Sequence, residues 1–187
     1  GEVLIDGVLI DQLNLYDLRK AISYVPQDAF LFSDTIANNI KFGREDANED
    51  EVIQAAKNAA VHDNIIEFVK GYETMLGERG ITVSGGQKQR ISIARALIKD
   101  AAIYLFDDSL SAVDTETEEE ILNNLKKIFR DKTTILVSHR VSAAKTADRI
   151  IVLNNGEIIE QGTHNQLITL NGHYKDLYEK QLTEKET

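Results

Sequence analysis

The sequence predicts an α/β protein, a largely parallel sheet with helices on its faces. Three observations predict this. Short apolar runs at Ala21 to Val25, Ala101 to Phe106 and Thr133 to Val137 alternate with stretches of helical periodicity, the pattern of parallel strands joined by helices. Two of these runs end on reactive groups, Asp107-Asp108 and Ser138-His139-Arg140, at the strand ends where open α/β sheets place ligands. A Ser84-Gly85-Gly86-Gln87 turn opens an amphipathic stretch just before the middle run.

The totals narrow the field. With 187 residues, there is length for one core plus a small subdomain. A hydrophobic share of 42% and a charged share of 28% are those of a globular domain. A formal charge of −10 repels phosphate backbones, so nucleic acid is not an expected partner. No apolar run approaches the roughly 18 residues that cross a bilayer. The first residues lack a basic stretch followed by an apolar one, so no signal peptide is expected there. The absence of cysteine excludes disulfides and thiolate metal sites. One proline and no Gly/Ser-rich tract argue against a long internal linker.

The elements follow in order. Gly1 to Ile10 reads as a hairpin turning at Asp6-Gly7. Leu13 to Lys20 predicts a short helix and Ala21 to Val25 a strand, which Pro26 stops. Helical periodicity then predicts helices over Thr35 to Ile40, Asn48 to Ala60 and His62 to Val69, with Asn48 as a cap and Glu49, Asp50 and Glu51 complementing the dipole. His62 has no second ligand at metal spacing and reads as a packing or surface residue. A glycine-flanked loop, Gly71 to Gly80, leads to Ser84, which caps a helix whose Lys88, Arg90, Arg95 and Lys99 are expected to face out. Ala101 to Phe106 is expected to be covered on both faces. Thr115 to Arg130 predicts a well-specified helix with a Thr115/Glu118 capping box and its charges on a solvated face. Thr133 to Val137 predicts a buried β-branched strand. Arg149 to Leu153 and Glu157 to Glu160 flank an Asn154-Asn155-Gly156 turn, and Thr163 to Gln181 predicts two helices broken at Asn171-Gly172.

The Ser84-Gly85-Gly86-Gln87 turn is an anion seat in its own right. Glycines without Cβ atoms leave room for a phosphate, and the amides of the first helical turn point toward it. The Asp107-Asp108 pair supplies hard oxygen ligands of the kind magnesium takes. In their order and spacing, these motifs make the sequence resemble the nucleotide-binding domain of an ATP-binding cassette (ABC) protein. Val83-Ser84-Gly85-Gly86-Gln87 resembles the family's LSGGQ signature, Ile103 to Asp108 its Walker B strand, and Ser111-Ala112-Val113-Asp114 its D-loop.

The resemblance covers nearly the whole chain and implies a P-loop NTPase-like parallel core, residues 1–33 and 101–187, with a helical subdomain at 34–100. It also implies ATP and Mg2+ as cofactors. Asp107 becomes the metal ligand, with the Q-loop Gln27 approaching both metal and water, Asp108 the base position, and His139 the switch histidine near the γ-phosphate. Ser84, Gly85, Gly86, Gln87 and Asp114 would bind the nucleotide held by a second nucleotide-binding domain in a head-to-tail dimer. Glu78-Arg79 resembles the X-loop that touches a transmembrane domain of the same polypeptide, which places the parent protein at the cytoplasmic face of a membrane.

Two departures shape the expectation. No G-x-x-x-x-G-K-[ST] stretch occurs, so the chain is expected to be a fragment truncated at the N-terminus, beginning after its phosphate loop and inactive alone. Asp108 stands where active members carry glutamate, one methylene longer, about 1.5 Å of reach. That pairing of a weakened own site with an intact signature resembles one half of a heterodimeric multidrug-type exporter. A soluble ABC ATPase of repair or translation is the alternative, but it should carry a basic surface or a coiled-coil insertion, and the sequence has neither. A purely structural module that pairs with an active partner is a third reading, against which the signature and His139 weigh.

Overall fold

The computed structural model describes residues 1–77 and 82–185, the last two by backbone alone. The chain opens on a two-stranded antiparallel hairpin, β1 (Leu4–Ile5) and β2 (Val8–Leu9), whose register pairs Leu4 with Leu9 and Ile5 with Val8. Asp6 and Gly7 have φ of +50° and +80°, as a two-residue hairpin turn requires. Asn14 caps α1 (Leu15–Ala21), which runs directly into β3 (Ile22–Val25).

β3, β4 (Ile103–Asp107) and β5 (Thr133–Val137) form the central sheet, all parallel and in that order. The register pairs Val25 with Phe106 across one seam and Asp107 with Val137 across the other, so the strand tips finish together. On one face, Val25, Tyr104 and Phe106 are buried, and Phe129 packs its ring 4.8 Å from that of Tyr104 and 5.6 Å from that of Phe106. The other face is open. Tyr24, Ile135 and Val137 are about half exposed, at 54%, 54% and 51%. The expectation of strands covered on both sides therefore fails for β5 and holds only in part for β4. Side-chain alternation exposes every second residue of β5, and among the described residues no helix lies over that face.

The helical subdomain packs α2 (Ile36–Lys41) and α3 (Glu49–Asn58) against α5 (Gly85–Leu97), sets α4 (His62–Ile66) against α3, and shares one core with the sheet. Asn48 caps α3 as expected, and Glu51 reaches back to its N–H to complete a reciprocal capping box. α4 is shorter than the periodicity predicts. Gly71, at φ +49°, donates its N–H to the Phe68 carbonyl at 2.8 Å and turns the chain, leaving Val69 fully exposed.

α6 (Thr115–Ile128) also differs at its start. Its cap is Asp114, whose Oδ1 accepts from the Thr117 N–H at 2.9 Å, and Glu118 is buried instead of serving a Thr115 capping box. After α7 (Val141–Ala144), the antiparallel pair β6 (Ile150–Asn154) and β7 (Glu157–Gly162) turns through Asn155-Gly156. Helices α8 (His164–Leu170) and α9 (His173–Lys185) close a second, smaller core of Val141, Ile150, Val152, Leu167 and Tyr174.

Three of the four cations expected to face outward from the α5 region turn inward. Arg90 donates to the Gly86 and Ala60 carbonyls, and Arg95 donates to the Phe30 and Asn39 carbonyls at 2.8 Å each. Lys99 reaches the Arg19 carbonyl at 2.6 Å and the Ile22 carbonyl beside it. Each gives backbone carbonyl oxygens a charged donor while its stem covers apolar surface. Lys88 alone of the four is exposed.

Candidate functional site

The structure arranges the sequence-derived residues in two groups. The first is the signature turn. Ser84 accepts a hydrogen bond from the Gln87 N–H at 3.2 Å, and Gln87 Oε1 accepts from the Ser84 N–H at 3.0 Å, a complete capping box on a 13-residue helix. Ser84 and Gly85 are exposed, and a Cβ built at Gly85 would meet nothing within 4 Å. The turn is thus preformed and open on the side that an anion would approach. Gly86 has a different reason to be glycine, since a Cβ there would lie 3.1 Å from the Ala112 carbonyl of the D-loop.

The second group gathers at the strand tips. Asp107 closes β4, and its Oδ2 accepts a hydrogen bond from the Tyr24 hydroxyl at 3.1 Å. That bond, then burial and the nearby carboxylate charge, push the Tyr24 pKa up, so the phenol stays a donor to Asp107. Asp108 is buried and held at φ +43°, a left-handed conformation that aspartate tolerates better than most residues. Its N–H donates to the Val137 carbonyl at 2.9 Å, and its carbonyl accepts from the Ser111 hydroxyl at 2.7 Å. Gln27, just past β3, brings its amide nitrogen to 3.5 Å from Asp108 Oδ2. His139 lies two residues beyond Val137 at the tip of β5, with an exposed side chain.

The D-loop joins the two groups. Arg140 donates to the Val113 carbonyl at 2.9 Å and the Ser111 carbonyl at 2.8 Å, and it pairs with the buried Glu118 carboxylate. Glu118 also accepts from the Ser142 hydroxyl at 2.6 Å. Asp114 is held below the usual aspartate range, first by the Thr117 backbone and side-chain donors, with Arg90 adding a smaller favourable charge. From the signature helix, Gln89 reaches back to the Pro26 carbonyl at 3.1 Å, tying the Q-loop to α5.

Tyr24, Glu118, Arg140 and Gln89 escaped the sequence reading because each acts across a long separation, 83 residues for Tyr24 and Asp107, and 22 for Arg140 and Glu118. The expected X-loop residues, Glu78 and Arg79, lie outside the described residues.

The donor set suits magnesium better than a protein-caged ion. Asp107 ends β4 and Asp108 follows it, both with hard carboxylate oxygens, Gln27 lies against Asp108, and among the described residues no group of three or more His, Asp or Glu side chains converges to hold a metal alone. That is the arrangement of a cation shared between one or two carboxylates, waters and substrate phosphates.

Comparison with known proteins gives a consistent result. A family model described as ABC transporter matches residues 1–111. The chain is 47% identical over 181 residues to the ATP-dependent lipid A-core flippase of Legionella pneumophila (strain Paris), covering 97% of this chain and 31% of the flippase. It is 44% identical over its full 187 residues to ATP-binding cassette sub-family B member 6 of Xenopus tropicalis, of which it spans 22%. A solved bacterial Atm1-family ABC exporter with ATP bound superposes with a TM-score of 0.92 at 44% identity, over 97% of this chain and 32% of the exporter. The chain thus spans about a third or less of these relatives. It belongs to the ABC transporter family and has the α/β fold of that family's ATPase domain.

Proposed function

We propose that this chain is the larger part of the nucleotide-binding domain in an ABC exporter, in which it pairs head to tail with a second, different domain. The observation that carries the proposal is the separation of two half-sites. The capped turn that begins at the exposed Ser84 and Gly85 presents the amides of a helix start, while Asp107, Asp108 and Gln27 gather at the strand tips. A preformed anion seat that stands exposed is available to a nucleotide held by a second polypeptide.

In this reading Asp107 and Gln27 hold magnesium, which when bound neutralises phosphate charge, and Tyr24 keeps the Asp107 carboxylate oriented. Asp108 occupies the position that polarises water, and His139 reaches the γ-phosphate. Asp108 falls about 1.5 Å short of a glutamate, and a misplacement of about 1 Å costs on the order of 10²-fold in rate. The site on this chain is therefore slow. Ser84, Gly85, Gly86, Gln87 and Asp114 instead complete the partner's site.

Docking to a transmembrane domain has its own support. Phe30, Phe32 and Phe42 are exposed in one aromatic patch, with ring centroids 5.1 Å and 4.5 Å apart, over the Arg95 guanidinium. Gly77, next to Glu78, packs so closely on Ser33 that a Cβ would come within 2.9 Å. An exposed aromatic patch of this kind is a surface that another protein segment covers.

The direct test is Asp108→Glu in the full-length pair, with steady-state ATP turnover as the readout. The proposal expects turnover to rise or hold, and a collapse would show that aspartate was the working base.

A further inference from the structure

The segment Ser138 to Val141 is gripped from two sides, and one grip comes from the far end of the chain. Gln181, on α9, donates from Nε2 to the His139 carbonyl at 2.7 Å and accepts at Oε1 from the Val141 N–H at 2.8 Å. Both ends of its amide are used, so a flip would set donor against donor and acceptor against acceptor. Tyr174, Tyr178 and Gln181 follow at helical spacing on one stripe of α9. The first two pack in the second core, and the third is the polar residue that meets the His139 segment.

The helix bearing Gln181 is itself well anchored. The Glu160 carboxylate of β7 accepts from the His173 and Tyr174 N–H groups, the latter at 3.0 Å, and Gly172 sits where a Cβ would come within 2.0 Å of Glu160. The Tyr174 hydroxyl bonds the His164 imidazole at 2.8 Å. On the opposite side, the Arg140 N–H donates to Ser138 Oγ at 2.9 Å, and its guanidinium holds the D-loop. The backbone around His139 is thus fixed, while its side chain projects free of the core.

We propose that Gln181 is a positioning residue for His139, and that docking of the C-terminal helix is what sets the imidazole for its work at the nucleotide. The proposal rests on the reading of His139 as the group that reaches the γ-phosphate. Loss of the clasp leaves two backbone groups seeking water and lets the loop shift by a fraction of an ångström or more, which is the scale that reaction geometry feels.

The test uses the full-length pair with Asp108→Glu in this chain and the partner's own base neutralised, so that turnover reports the site that contains His139. Gln181→Ala should lower kcat about tenfold while KM for ATP stays within about twofold. Gln181→Glu, which still accepts from Val141 but no longer donates to His139, should fall between. In a His139→Ala background, Gln181→Ala should have no further effect, because the two act as one unit. An unchanged kcat in Gln181→Ala overturns the proposal, as does an equal fall in both backgrounds, which would mark a structural role. Failure of the half-site reading appears separately, as a collapse with Asp108→Glu before Gln181 is touched; the same comparisons then run with Asp108 in place.

Discussion

Asp108 and Asp114 show how two carboxylates six residues apart take different tasks from their surroundings. Asp108 is buried, left-handed and aimed across to Gln27, so its geometry is fixed by the backbone of the strand tip. Glutamate tolerates positive φ less well, and Asp108→Glu should therefore leave the domain slightly less stable even as turnover rises or holds. Asp114 is exposed and serves α6 as its cap. Its pKa is lowered by the Thr117 donors, so the stabilisation it gives is complete above the ordinary aspartate value of about 4 and is lost as pH falls through the lowered folded-state value. Thermal midpoints followed from about pH 6 down to about pH 2 should fall less steeply for Asp114→Asn than for the parent sequence. Equal slopes would remove Asp114 from the acid response.

At the scale of elements, the Arg140 to Glu118 pair welds α6 to the D-loop and to the segment after β5. Glu118 is 1% exposed, so removal of its carboxylate leaves the Arg140 guanidinium without its counter-charge and the Ser142 hydroxyl without its acceptor. Glu118→Ala should destabilise the domain by about 3 kcal/mol, read from urea unfolding, with Glu118→Gln costing less. A change below about 0.5 kcal/mol would mark the pair as ordinary surface electrostatics. Local features of these elements were legible in the sequence. Ser84 before α5, Asn48 with Glu51, the Asp6-Gly7 and Asn155-Gly156 turns, and the break at Asn171-Gly172 all depend on neighbours within a few residues. What the sequence concealed depends on distant partners: Glu118 turned inward because Arg140 waits for it, and Arg90, Arg95 and Lys99 bury their stems to reach carbonyls of other elements. The α6 cap slipped by one residue for a simpler reason, since Asp114 and Thr115 are both good caps and only Asp114 has the extended backbone.

The whole molecule is one core shared by sheet and helical subdomain, with a second small core docked at the His139 segment and one sheet face left open. A face carrying Tyr24, Ile135 and Val137 beside the Asp107 carboxylate has no phosphate loop among the 187 residues to complete it. Titrated alone, the chain should therefore bind ATP too weakly to saturate at micromolar nucleotide with magnesium present, whereas a micromolar, magnesium-dependent isotherm would contradict the half-site account. The central claim is that the Ser84 to Gln87 turn serves another polypeptide's nucleotide. Gly85 tests it most cleanly, because a side chain there meets nothing and an acid in the first turn favours the helix. ATP turnover of the full-length pair carrying Gly85→Asp in this chain should fall by about 10²-fold or more with the fold intact, since the new charge repels a phosphate from the seat; turnover equal to that of the unaltered pair would contradict the account.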